Sequence, residues 1–154
     1  LLSIMIRVLR LFKTKTLERL NILYYLNSSI MKMKNGYAEF LRIFDWNYLI
    51  TCRTHYKVHL MTARNWINKL ISSTYKVENV FYVSERDKGD HSNKHVHMLI
   101  DTNTDMTYKE IRFGLGNVSV GDYQPIYDKD EVCKYVVKHF GKDVDYDFVF
   151  KGKS

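Results

Sequence analysis

The chain of 154 residues is long enough to bury a hydrophobic core and short enough to form one domain. Hydrophobic residues make up 45% of it and aromatic residues 14%, which excludes a disordered chain. Cys52 and Cys133 are far apart in the sequence, so neither a CxxC zinc knuckle nor a disulfide scaffold is indicated. We therefore expect a reducing, intracellular setting, namely the cytoplasm.

The formal net charge of +7 is concentrated near the N-terminus. Residues 1–34 hold seven of the 24 basic residues and one of the 17 acidic residues, a net charge of +6. The other 120 residues therefore carry a net charge of only +1. Any affinity of this larger part for nucleic acid must come from local patches rather than from its overall charge.

The first thirty residues differ in character from the rest. The sequence Met-Lys-Met-Lys at 31–34 resembles the start of a protein, so we divide the chain into a basic N-terminal segment, 1–34, and a domain, 35–154. Residues 1–30 are interpreted as translated upstream sequence or a poorly constrained helix. The alternatives are a basic arm that follows phosphates and an amphipathic interfacial helix. Its first apolar run, 1–6, is too short to cross a bilayer, and we expect no association with membranes.

The first half of the domain predicts two strands on either side of a helix, followed by a third strand. Residues 47–53 have strand composition, and Thr62 is a suitable N-cap for an amphipathic helix over 63–75. A strand over 80–85, a polar loop over 86–94 and a strand over 94–101 follow.

The second half predicts a short helix over 108–113 and a strand over 116–120. A helix that begins at Asp128 or Asp130 runs to Gly141, and an edge strand covers 146–150. The resulting order, β-α-β-β-α-β, indicates an α+β fold with an antiparallel sheet and helices chiefly on one face.

Two histidines alternate in the third of these strands, as His95-Val96-His97. Alternate strand residues point to the same face and lie about 7 Å apart, so both imidazoles can contact one divalent ion. The alternative interpretation is a strand that exposes two polar side chains to solvent. The single histidines, His55, His59 and His91, are interpreted as surface residues.

The preceding strand offers a third ligand, Glu85. If the loop 86–94 closes symmetrically, Glu85 faces His95 and Val83 faces His97 across the ladder. Two imidazoles and one carboxylate suit Mn²⁺ or Mg²⁺ bound together with phosphate. The loop contains three possible substitutes for the glutamate: Asp87, Asp90 and His91.

The last predicted helix contains Tyr135, with Lys138 one turn further and His139 beside it. A phenol has a pKa near 10, so a nucleophilic tyrosine needs a metal, a cation or a base nearby. Lys138 can supply that cation. The alternative is that Tyr135 is a core aromatic residue of an amphipathic helix. His139 could play the same part as Lys138, but it is interpreted as a capping or surface residue.

These features together resemble the three ordered motifs of the HUH endonucleases. The first strand contains Tyr48-Leu49-Ile50-Thr51, a glutamate-bearing strand leads into His95-Val96-His97, and Tyr135-x-x-Lys138 follows. The resemblance covers residues 46–141 and is strongest to the single-tyrosine replication initiators of rolling-circle plasmids and small single-stranded DNA viruses or phages. In the first motif, Cys52-Arg53 departs from the usual pattern.

The resemblance implies a ferredoxin-like or RRM-like antiparallel sheet of about five strands with flanking helices. It implies that His95, His97 and Glu85 hold Mn²⁺ or Mg²⁺, and that Tyr135 attacks a DNA phosphate while Lys138 positions the metal or phosphate. The 5′-phosphotyrosine product would leave a 3′-hydroxyl that primes rolling-circle replication at an origin of single-stranded DNA. The chain contains no GxxxxGK[ST] loop, so the expected partners include a host helicase and a polymerase.

Two other functions remain open at this stage. A single-tyrosine transposase of the same superfamily uses the same parts on DNA hairpins. A non-catalytic nucleic-acid-binding module on a ferredoxin-like sheet would instead use its aromatic side chains to stack on bases.

Overall fold

The secondary structure follows the order predicted from the sequence. The structure, a computed structural model, describes residues 2–54, 56, 58–87, 90–140 and 144–151, and the side chains of these residues outside 2–18 and 86–94. The elements are α1 (Leu2–Leu41), β1 (Trp46–Thr54), α2 (Leu60–Ser73), β2 (Val77–Asp87), β3 (Asp90–Thr102), α3 (Tyr108–Gly114), β4 (Val120–Pro125), α4 (Lys129–Val136) and β5 (Asp145–Phe150). The predicted α+β class is confirmed.

The five strands form one sheet in the order β4-β1-β3-β2-β5, and every neighbouring pair is antiparallel. The histidine-bearing strand β3 therefore lies at the centre of the sheet, between β1 and β2. Among the described strands β4 and β5 are the edges, which confirms the prediction of an edge strand near 146–150. This arrangement fits the ferredoxin-like or RRM-like sheet that the resemblance implied.

Helices cover both faces of this sheet, which corrects the expectation that they lie chiefly on one face. Helices α2 and α3 pack on the face formed by Ile50, Met98 and their neighbours. The end of α1 and helix α4 pack on the opposite face, against Phe81 and Leu99. The central strands are buried at consecutive positions, as in 96–100, because both faces are covered.

Several predicted boundaries were wrong. Helix α2 begins at Leu60, before Thr62, and its N-cap residue His59 makes no side-chain capping hydrogen bond. The strand predicted over 116–120 is replaced by a turn, because Gly116 and Asn117 have φ angles of 81° and 60°, and β4 starts only at Val120.

The two elements that contain the candidate site also differ from their predicted extents. The polar loop expected over 86–94 is shorter, since β2 continues to Asp87 and β3 starts at Asp90. Helix α4 has Asp128 as its N-cap, one of the two predicted residues, and ends at Val136. The predicted C-cap, Gly141, lies outside the described residues.

Helix α1 runs without interruption from residue 2 to residue 41, so the boundary expected between 34 and 35 falls inside it. Its last turns belong to the core, since Ala38 and Leu41 are buried against the sheet. Residues 19–27 are exposed. No described helix, α1 included, combines the length and the apolar composition needed to span a membrane.

Candidate metal and nucleophile site

The register of the central strands places the predicted ligands on one face. Glu85 of β2 pairs with His95 of β3, and Val83 pairs with His97, as the symmetric closure predicted. On the other side of β3, Thr51 of β1 pairs with His97. Because paired residues project to the same face, this face of the sheet carries Thr51, both histidines and Glu85 side by side.

The three predicted ligands converge on one carboxylate oxygen. Oε2 of Glu85 lies 3.2 Å from Nε2 of His95, which donates a hydrogen bond to it, and 3.5 Å from Nε2 of His97. One ligand atom from each residue lies within 4.8 Å of the other two. Glu85 and His97 are buried and His95 is partly buried, so the sheet and the covering helix hold all three in place.

A third histidine lies beside this group, and sequence reasoning, which considered it only as a helper of Tyr135, did not predict its contact with Glu85. Nε2 of His139 lies 3.5 Å from the same Glu85 oxygen. Its side chain is partly exposed, as a surface role predicted, but it also contacts the candidate metal group. Its position follows from Phe140, which is buried in the core and holds the turn after α4 against the sheet. In the sequence, the only signal was a histidine four positions after Tyr135 and next to an apolar residue.

Electrostatics keep the central carboxylate ionised. Burial raises the pKa of Glu85, but the hydrogen bond from His95 and the nearby rings of His97 and His139 outweigh it and lower the pKa to about 2. Glu85 is therefore an anion at neutral pH. An anion among imidazoles is the donor set that a divalent cation requires.

Two buried polar atoms of Glu85 and His97 provide a further indication that this group can hold a metal ion. Oε1 of Glu85 and Nε2 of His97 are buried, and neither makes a hydrogen bond within the described part of the chain. Buried polar atoms are normally paired, because leaving them unpaired costs free energy. Glu85, His95 and His97 could hold a metal ion, which would satisfy both atoms.

Thr51 orients one of these ligands from the neighbouring strand. Its Oγ1 lies 2.9 Å from Nδ1 of His97. When Nδ1 carries the proton and donates it to Thr51, Nε2 presents a lone pair toward Glu85. A hydrogen bond of this kind fixes the tautomer and the ring orientation of a metal-binding histidine.

The predicted nucleophile lies directly beside this group. The ring of Tyr135 contacts the ring of His97 edge to face, with 5.2 Å between centroids. Nζ of Lys138 lies 3.8 Å from the centroid of the Tyr135 ring. Tyr135 is 38% exposed, so part of it is accessible from solvent. The structure thus connects all five predicted site residues through direct contacts: the glutamate with both histidines, His97 with Tyr135, and Tyr135 with Lys138.

The other candidates do not change this assignment. His59 is exposed at the start of α2. His55 and the side chains of Asp87, Asp90 and His91 lie outside the described parts of the structure.

Comparisons of the chain with models of protein families, with curated proteins and with solved structures found no match. The site geometry and the sequence motifs are therefore the basis for any functional assignment.

Proposed function

We propose that the protein is an HUH-type endonuclease that cuts and rejoins single-stranded DNA through Tyr135. One observation carries the proposal: an accessible tyrosine contacts His97, a member of a buried Glu-His-His group that could hold a metal ion. Metal-held phosphate beside a tyrosine hydroxyl is the arrangement needed for strand cleavage by transesterification.

Glu85, His95 and His97 would hold the ion, with Mn²⁺ and Mg²⁺ as the proposed species. Bound there, the ion supplies Lewis-acid stabilisation of the charge on the scissile phosphate. The protein's own contribution is to hold three ligands rigidly on two central strands. His139, on the same side of Glu85, closes the group from the tyrosine side.

The reaction exchanges one phosphodiester for another. Oη of Tyr135 forms a bond to the scissile phosphorus, and the bond from phosphorus to the 3′-oxygen breaks. The phenol proton ends on the departing 3′-oxygen, so the products are a 5′-phosphotyrosine and a free 3′-hydroxyl. Since the number of phosphoester bonds is unchanged, the reverse reaction rejoins the strand without ATP.

Lys138 supports the attacking oxygen electrostatically. An ammonium group over the ring of Tyr135 interacts favourably with the electron-rich aromatic face, and more strongly once the phenol becomes phenolate. The same cation lies where it can contact a phosphate brought to the tyrosine. We assign Lys138 this positioning and charge-balancing role.

The 3′-hydroxyl left by cleavage can prime DNA synthesis, so we propose initiation of rolling-circle replication, with a host helicase and a polymerase as partners. The coverage of both sheet faces favours this over a non-catalytic module that stacks bases on its sheet. Such a module needs an open sheet face, whereas here α2 and α3 cover one face and α1 and α4 the other.

The decisive experiment is a covalent-trapping assay. The protein is incubated with end-labelled single-stranded oligonucleotides and Mn²⁺, and the products are run on a denaturing gel. We expect a protein–DNA adduct whose labelled peptide contains Tyr135. Tyr135→Phe should abolish it, because the substitution removes only the hydroxyl.

Tyr75→Phe is the matched control, since Tyr75, just after α2, is a 72% exposed tyrosine outside the candidate site. It should leave the adduct unchanged. Two further reactions test the metal: EDTA and the variant His97→Ala should each remove cleavage. An adduct on another tyrosine, or cleavage that persists in EDTA, would contradict the proposal.

A further inference from the structure

A cavity of about 440 Å³ opens beside Tyr135, between α4 and the strands β1 and β4. Its volume lies within the range of small-molecule sites, which is about 300–1,000 Å³. Tyr135 lines one end, and Asp122 and Gln124 of edge strand β4 line the wall across from α4. The cavity is therefore a recess at the edge of the sheet that reaches the proposed nucleophile.

The cavity and the candidate metal group share residues. Thr51 lines the cavity and also makes the hydrogen bond to His97. Tyr135 lines it and contacts the same histidine. A group seated in the cavity thus lies next to the position of the scissile phosphate, and the two sites must accept neighbouring parts of one substrate.

The chemistry of the walls selects what can enter. Asp122, Asp128 and Glu131 supply carboxylates, Gln124 supplies an amide, and no lysine or arginine is among the described residues that line the cavity. This wall repels phosphate and accepts hydrogen bonds from N–H groups. Leu49 and Val132 add apolar surface of the kind that a flat ring covers.

We propose that this cavity holds the nucleobase next to the scissile phosphate and selects bases that carry an exocyclic amino group. Adenine, cytosine and guanine each present an NH2 group, whose two N–H donors can reach two acceptors of the wall, whereas thymine offers the single N3–H donor. Tyr127, almost fully exposed at the rim, offers a ring on which the base can stack. The inference rests on the proposed function, because it makes the cavity a subsite of that reaction.

The test uses nucleosides, which contain no phosphodiester bond, and the unmodified chain of 154 residues in EDTA. Deoxyadenosine, deoxycytidine, deoxyguanosine and thymidine are titrated into ¹⁵N-labelled protein and followed by NMR. We expect the three amino-bearing nucleosides to shift the side-chain amide of Gln124 and the backbone amide of Tyr127. Thymidine should bind at least about tenfold more weakly, because its single N3–H donor can satisfy only one acceptor of the cavity wall.

Variants locate the contact. Asp122→Asn and Glu131→Gln each replace a carboxylate, which only accepts hydrogen bonds, by an amide, which also donates. Both variants should reduce the preference of the cavity for the amino-bearing nucleosides over thymidine. Asp105→Asn makes the same charge change at an exposed carboxylate in the loop before α3, and it should leave the preference unchanged. Equal binding of all four nucleosides, or shifts confined to residues outside the cavity, would overturn the inference.

The outcome is independent of cleavage, since neither metal nor DNA is present in the nucleoside titration. Selective binding that leaves Tyr135 unreactive toward DNA would support the subsite and contradict the nuclease. Cleavage through Tyr135 without nucleoside binding in the cavity would support the nuclease and overturn the subsite.

Discussion

Thr51 is the residue through which β1 contributes to the candidate metal group, although it supplies no ligand itself. Its hydroxyl is 2.9 Å from Nδ1 of His97, and the residue is buried. We predict that Thr51→Val, which keeps the side-chain shape and removes the hydroxyl, lowers the affinity for Mn²⁺ by about 10–100-fold. Titration of Mn²⁺ followed by electron paramagnetic resonance measures this change.

Thr51→Ser is the matched variant, because it restores the hydroxyl. It should bind Mn²⁺ within a few-fold of the parent. Both variants should melt close to the parent temperature in EDTA if the effect is on the ligand rather than on the fold. A valine variant with unchanged Mn²⁺ affinity would show that His97 is oriented by its packing alone.

The ligand set shows which parts of a site can be predicted from sequence. Glu85, His95 and His97 could be predicted because the geometry of a hairpin is local: one register fixes which residues share a face. His139 could not, because its position depends on where α4 ends. The helix stops at Val136 rather than continuing to 141, and the turn that follows brings the imidazole to Glu85.

Helix α3 is short, and its N-terminus is held by a capping box that is sensitive to pH. Thr107 accepts a hydrogen bond from the backbone of Glu110, and the glutamate accepts one from the backbone of Thr107 and another from Lys76. The hydrogen bond from Lys76, followed by those from Thr107, lowers the pKa of Glu110 to about 2.

This pKa shift sets the direction of a pH effect. Because the folded pKa lies below the unfolded value near 4.3, the stabilisation by ionised Glu110 is complete above that value and is lost as the pH falls toward 2. We predict that Glu110→Gln lowers the melting temperature at pH 7, and that the difference disappears near pH 2. Thermal melts followed by circular dichroism at several pH values measure it.

Glu39→Gln, at an exposed glutamate of α1, is the control and should show no such pH-dependent difference. High salt should also reduce the effect of Glu110→Gln, because the pair with Lys76 is partly exposed. A difference between Glu110→Gln and the parent that is constant from pH 7 to pH 2 would contradict the prediction.

The errors in the predicted elements have physical causes. The prediction of a strand over 116–120 was wrong because Gly116 and Asn117 adopt left-handed backbone angles. The valines that follow them gave the segment a strand-like composition, which hid this turn. The expectation of helices chiefly on one face was wrong because the central strands are covered on both sides, as the consecutive buried residues 81–85 show.

For the whole molecule, the question is how much of α1 the domain requires. Tyr37, Ala38 and Leu41 pack against the core, and Lys34 donates a hydrogen bond to the backbone oxygen of Lys138 at 2.7 Å. These contacts lie after residue 30. We predict that a chain starting at Met31 folds with a melting temperature within a few degrees of the parent and cleaves DNA at the same rate.

The truncation also tests whether the basic segment binds phosphates. Residues 1–30 hold five basic residues and one acidic residue. For every DNA phosphate that this segment neutralises, its removal would flatten the log–log dependence of single-strand affinity on salt by about 0.7. We expect little change. A truncated protein that is insoluble, or that cannot cleave at saturating DNA, would show that the segment belongs to the domain.

The three candidate metal ligands lie on one hairpin, which is synthesised before the helix that carries Tyr135. Glu85 and His95 are ten residues apart, and a hairpin of this kind closes in microseconds once its strands exist. Tyr135 leaves the ribosome about 30 residues after β3 is complete, which takes roughly two to six seconds at ordinary rates of synthesis. Under the proposed function, a nascent chain would acquire its candidate metal ligands before Tyr135, and it would be unable to cut DNA until α4 has been synthesised and docked.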